Sequence, residues 1–181
     1  RNTDVVFSGA STDGNGIKSV VVTYSKNSGA PVTLLNQTSG AGTWTATLGT
    51  ALGDGTYEMS FVATDNANKK FDFTRNVVID TTSPSLAITA PAVGEGVSTS
   101  SYTIRGTVDD GSGKGIDTIA YSLNYTNDGN DLNDTWVPIT KAASWSATGV
   151  NFSSGGQGTK TFWVRASDGL NPVTIETVSF Q

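Results

Sequence analysis

With 181 residues but no cysteine and no histidine, the chain can hold neither a disulfide nor a thiolate zinc site, and it lacks the usual general base of hydrolytic enzymes. A net charge of −5 repels phosphate backbones and argues against nucleic acid as a partner, whereas divalent cations suit an acidic surface. Hydrophobic residues make up 36% and charged residues 15%, and Val, Ile, Leu and aromatics run the whole length, so two small cores are feasible and wholesale disorder is not.

The chain opens at Arg1, inside an alternating segment and without an initiator Met, as a piece of a longer protein would. Period-two alternation and turn clusters predict strands near 3–11, 17–26, 31–37, 43–49, 56–65 and 70–80. Val20, Val22 and Tyr24 share one face of the second of these, and Tyr57, Met59, Phe61 and Ala63 share one face of the fifth. The run Asp80-Thr-Thr-Ser-Pro84 then reads as a tight linker, because proline rejects a ladder position. Beyond it strands are expected near 85–90, 101–109, 116–126, 135–140, 143–149, 159–168 and 172–180. Here Ile119, Tyr121 and Leu123 are placed on one face, and Lys160, Phe162, Val164 and Ala166 on another. No segment sustains a 3.6-residue period, so no helix is expected. No apolar run approaches the ~18 residues of a membrane span, so membrane insertion is not expected either.

The second series repeats the first. Phe7-Ser-Gly-Ala10 matches Ile104-Arg-Gly-Thr107, and each leads into an acidic, glycine-rich turn. Thr43-Trp-Thr-Ala-Thr47 matches Ser144-Trp-Ser-Ala-Thr148, and Phe61-Val-Ala-Thr-Asp65 matches Val164-Arg-Ala-Ser-Asp168. Matches that stay in order while the loops lengthen describe a duplicated domain. Domain boundaries are therefore placed at 1–80 and 84–181. The segment Leu86-Ala-Ile88 has no counterpart in the first copy, which is expected to lack its first strand.

Short strands at this spacing favour antiparallel β-sandwiches. The segments Gly42-Thr-Trp-Thr-Ala-Thr-Leu48, Leu52-Gly-Asp-Gly-Thr-Tyr57, Ala63-Thr-Asp-Asn-Ala-Asn68 and Val78-Ile-Asp-Thr-Thr-Ser-Pro84 resemble the bacterial immunoglobulin-like repeats of surface and secreted proteins. The resemblance covers nearly all of the chain. It implies two tandem immunoglobulin-like sandwiches, all-β, in an extracellular or cell-surface bacterial protein, with neighbouring domains of a longer chain as partners. It also places Tyr57 where a tyrosine corner stands; the second copy has Lys160 there.

One constellation offers chemistry. In a sandwich of this connectivity, the loops near 109–115 and 168–171 lie at the end where the linker enters. Asp80, Asp109, Asp110, Asp168 and Asn171 then gather at one end of the second domain. Two readings stand: these residues simply make turns, or they hold Ca²⁺, which takes about six to eight oxygen ligands. The resemblance leans to the second, since some related adhesin repeats are stiffened by calcium between domains. The matching end of the first domain offers Asp13, Asn15, Asp65, Asn66 and Asn68.

Other motifs fail on chemistry. Asn127-Asp-Gly-Asn-Asp-Leu-Asn-Asp134 is no EF-hand, because, counted from Asp128, the loop's sixth position is Asn133 and its twelfth Ile139. Gly111-Ser-Gly-Lys-Gly115 is no phosphate loop, because Lys114 is followed by glycine and no helix follows. Trp44 and Trp145, equivalent in the repeat, are expected in the cores. Trp163 alternates outward beside Arg165 and is either covered by a neighbour or free to stack on a glycan or a host or cell-surface protein. No catalytic set emerges. The leading reading is a non-catalytic, adhesin-like spacer, with a carbohydrate- or protein-binding module as the alternative.

Overall fold

A computed structural model describes residues 5–38, 42–48, 52–127, 134–152 and 157–181. The chain divides into two compact units, Arg1–Thr81 and Thr82–Gln181. Both are all-β.

Among the described residues the first unit has six strands: β1 (Val5–Ala10), β2 (Ile17–Lys26), β3 (Val32–Gln37), β4 (Thr43–Leu48), β5 (Gly55–Asp65) and β6 (Lys70–Ile79). β1 and β4 form one antiparallel pair, and the other sheet runs β3-β2-β5-β6. The register sets Val22 opposite Phe61 and Val20 opposite Ala63, so the apolar faces of β2 and β5 coincide. Val20, Val22, Met59 and Phe61 from this sheet share one core with Ala46 and Leu48 from β4. Each such side chain contributes about 1.5–3 kcal/mol by leaving water. Tyr57 is buried, and its hydroxyl donates to the Gly53 carbonyl at 2.7 Å, which closes the expected tyrosine corner.

Among the described residues the second unit has seven strands: β7 (Ser85–Ala90), β8 (Ser101–Asp109), β9 (Thr118–Ser122), β10 (Val137–Ile139), β11 (Ser144–Asn151), β12 (Lys160–Ser167) and β13 (Thr174–Phe180). The sheets run β11-β8-β7 and β10-β9-β12-β13. Ile104, Val108 and Trp145 from the first meet Ile119, Phe162, Val164 and Phe180 from the second in one core. The two units thus share a strand order, and β7 is the added member.

Two elements depart from the sequence reading. The strand expected over 116–126 is only Thr118–Ser122. Beyond it the Ser122 hydroxyl oxygen accepts from the Asn124 amide at 3.1 Å, and the Asn124 side-chain oxygen accepts from the Thr135 amide at 3.1 Å. These side chains replace the ladder partners and end the strand. Leu123, placed inward by alternation, is therefore 37% exposed, while Ser122 is fully buried. β11 runs past its expected end to Asn151, with a register shift between Ala147 and Val150 at Gly149, whose φ is +66°.

The repeated Gly and Trp have one packing cause. Trp44 stands opposite Gly9 across β1 and β4, and Trp145 stands opposite Gly106 across β8 and β11. A β-carbon on either glycine would overlap the facing indole ring. At Gly106 it would also overlap the Ala87 carbonyl of β7. Each indole thus lies in space that a missing side chain vacates.

Candidate metal-binding end of the second domain

β8 ends at Asp109 and β12 at Ser167, so the next residue in each case turns into a loop at the same end of the second domain. Asp110 is 8% exposed and Asp168 fully buried. Their carboxylate oxygens approach within 4.8 Å. One oxygen of Asp168 accepts from the amides of Leu170 at 2.7 Å and Asn171 at 2.8 Å; the other accepts from the Asn171 side-chain amide at 2.8 Å. Asp110 accepts from the Gly115 amide at 2.6 Å, and Gly115 has a φ of +90° that glycine adopts without strain.

Burial alone raises the Asp168 carboxyl. Hydrogen bonds from the Asn171 amide and side chain and from the Leu170 amide outweigh it, and hold the group below the ordinary 3.8. Asp168 is therefore ionised at neutral pH. A second buried carboxylate beside it adds like charge, which costs energy unless a cation offsets it. Lys114 supplies part of the offset: its ammonium donates to the Asp168 carbonyl at 3.0 Å. The donors at this end are oxygens of carboxylates and carbonyls, with no nitrogen or sulfur ligand available. That chemistry fits a hard cation such as Ca²⁺.

The other expected ligands are placed differently. Asp109 is exposed on β8, and its carboxylate accepts from the Gly111 amide at 3.1 Å, which makes it a turn residue. Asp80 follows the last residue of β6 and is half-buried. Two residues on, the Thr82 carbonyl accepts from the Asn171 side chain at 2.9 Å. Lys114 and Gly115 were not singled out as site residues from sequence. The signal was the Gly-Lys-Gly run in the acidic turn, legible only once its partner loop is known.

At the matching end of the first domain the same residue types are engaged in turns. Asp65 accepts from the Lys69 amide at 2.7 Å, and Asp13 from the Asn15 amide at 2.8 Å. The Asn66 side chain donates to the Asn15 carbonyl at 2.7 Å, and the Lys18 ammonium donates to the Asn68 side chain at 2.5 Å.

Trp163 and Arg165 are half-buried on the outward positions of β12. Trp163 meets Tyr125 edge-on with ring centres 6.2 Å apart, and Tyr125 meets Trp136 at 5.3 Å. The Arg165 guanidinium lies over Trp136 at 4.3 Å rather than over Trp163, a contact worth about 0.5–2 kcal/mol. In the acidic run 127–134, residues 128–133 lie outside the described set. Asp134 accepts from the Thr126 amide at 2.9 Å.

Among the described residues no helix is long and apolar enough to cross a membrane. No curated protein matches the chain. Solved structures similar to it include fibronectin(III)-like modules of Clostridium thermocellum CbhA, 16% identical over 98% of this chain and 84% of that one, with a TM-score of 0.40. The FN1–FN3 domains of chicken CNTN1 are 11% identical over 99% of this chain and 62% of that one, with a TM-score of 0.38. The model of the bacterial Ig-like domain family matches residues 1–81. The first domain is thus similar to bacterial Ig-like domains along its length.

Proposed function

We propose that the chain is a non-catalytic spacer of a bacterial cell-surface or secreted protein, and that the loop end of its second domain binds calcium. Asp110 and Asp168 supply the buried carboxylates. The carrying observation is the fully buried Asp168 beside a second buried carboxylate, in a donor set made of oxygen. Bound calcium would offset the like charges. The spacer reading is supported by the match of the first domain to the bacterial Ig-like family and by the duplication of the module.

Calcium titrated calorimetrically into chelator-treated protein should give saturable heat that Asp110→Asn abolishes. Absence of heat would remove the calcium seat and leave Lys114 and the loop amides as the compensation. The spacer reading is checked separately. Replacing these residues by an unrelated module of equal length in the parent protein should preserve its activity, and loss of that activity would contradict the reading.

A binding role is the second reading, favoured by the Tyr125–Trp136–Trp163 aromatic group on the outer face of the second domain. Glycan-array binding that Trp163→Ala removes would support it, and an empty array would not.

A further inference from the structure

A lysine changes its place in the repeat but keeps its task. Asp13 aligns with Asp110 and Ile17 with Ile116, so Lys114 and Gly115 are an insertion in the second copy. The residue after the isoleucine is Lys18 in the first copy and Asp117 in the second. In the first domain the Lys18 ammonium donates to the Asn68 side-chain oxygen, in the loop after β5. In the second domain the Lys114 ammonium donates to the Asp168 carbonyl at 3.0 Å, in the matching loop after β12. Each copy thus brings one ammonium to the same loop from a different position in the sequence.

The second domain builds a place for it. Gly115, next to Lys114, donates its amide to the Asp110 carboxylate at 2.6 Å, so adjacent residues of one turn hold both acidic loops. The Asp117 amide donates to the Ser167 carbonyl at 2.7 Å and docks this turn on the end of β12. Gly169 keeps the space open: a β-carbon there would come within 3.2 Å of the ammonium nitrogen and 3.4 Å of the Asp117 carboxylate. The ammonium is therefore held on the backbone of Asp168, the residue whose buried carboxylate stands beside that of Asp110.

A tethered ammonium and a free divalent cation carry the same sign and answer the same buried charge, so each lowers the gain from adding the other. Lys114 is exposed along its length, and its flexible stem lets the ammonium move to water when another cation arrives. Lys18 differs in its partner, a neutral amide oxygen.

We infer that Lys114 is a resident counter-ion that competes with calcium at the acidic end of the second domain, and so sets the calcium concentration at which that end fills. This rests on the calcium reading above and adds its regulation. Removing the ammonium leaves the two buried carboxylates to the metal alone, and binding tightens.

The test titrates calcium calorimetrically into the chelator-treated 181-residue chain as wild type, Lys114→Met, Lys114→Arg and Lys18→Met. Lys114→Met should bind calcium more tightly by about tenfold or more, and Lys114→Arg and Lys18→Met should match wild type. The gain should shrink in about 1 M sodium chloride, where charges are screened beyond about 3 Å. Equal or weaker binding by Lys114→Met would overturn the inference and leave the calcium reading standing. A gain that salt leaves untouched would also overturn it, by assigning the effect to shape rather than charge. Heat in Lys114→Met alone would sustain the inference, with the native ammonium keeping calcium out. No heat in any of the four proteins would overturn the calcium reading and the inference together.

Discussion

Asp168 binds the loop after β12 through both carboxylate oxygens. Asp168→Asn keeps the oxygen that serves Leu170 and Asn171, but sets an amide donor against the Asn171 side-chain donor. A loss of about 1–3 kcal/mol at pH 7 is expected in urea unfolding, the cost of a buried donor left unsatisfied. The folded pKa lies below the unfolded one, so this stabilisation is complete above the ordinary aspartate value of 3.8. It fades as pH falls from there through the folded pKa, and the gap between wild type and variant should narrow in the same window. A gap that stayed constant down to pH 2 would mean that the charge contributes nothing. Tyr57 makes a simpler case: its hydroxyl has one role, the 2.7 Å bond to Gly53. Tyr57→Phe should cost about 1 kcal/mol by the same measurement.

At the scale of elements, strands and their faces were legible because a period of two, one buried face and punctuating turns all agree. β2 is the clearest case, expected over 17–26 and found as Ile17–Lys26. β9 was misjudged because its end depends on Ser122 and Asn124 turning their side chains to the backbone, and alternation carries no trace of that. The acidic end was half legible. Turn residues could be grouped by connectivity, but adjacent Asp109 and Asp110 point to different uses, one capping an exposed turn and the other buried beside Asp168. Strand pleat separates them, and loop geometry after the strand decides which one enters. The glycine–tryptophan pairs were visible as repeated words without a stated cause. Their cause gives an asymmetric expectation. Gly106→Ala meets a backbone carbonyl of β7 as well as a ring and should cost about 2–4 kcal/mol. At Gly9→Ala the nearest atoms all belong to the Trp44 side chain, which can rotate away, and the loss should be smaller. Equal losses in parallel denaturation series would show that β7 does not press on β8 as described.

At the scale of the whole molecule, duplication supplies two cores of unequal completeness. Among the described residues the second has a three-stranded sheet and an enclosed tryptophan; the first has a two-stranded sheet and exposed phenylalanines. Calorimetry should therefore resolve two transitions, the lower belonging to the first domain, and a single transition would contradict the difference in completeness. The calcium reading concerns the upper transition, because Asp110 and Asp168 both lie in the second domain. A ligand that binds only the native state stabilises it by about 2.7 kcal/mol at one hundred times its dissociation constant. The deciding measurement is thus a calorimetric scan of chelator-treated protein, with and without millimolar calcium, on wild type and Asp110→Asn. The upper transition should rise by several degrees in wild type and stay fixed in the variant. An upper transition that calcium leaves in place in both proteins would show that Lys114 and the loop amides already balance the buried carboxylates, and that the acidic end is built of turns.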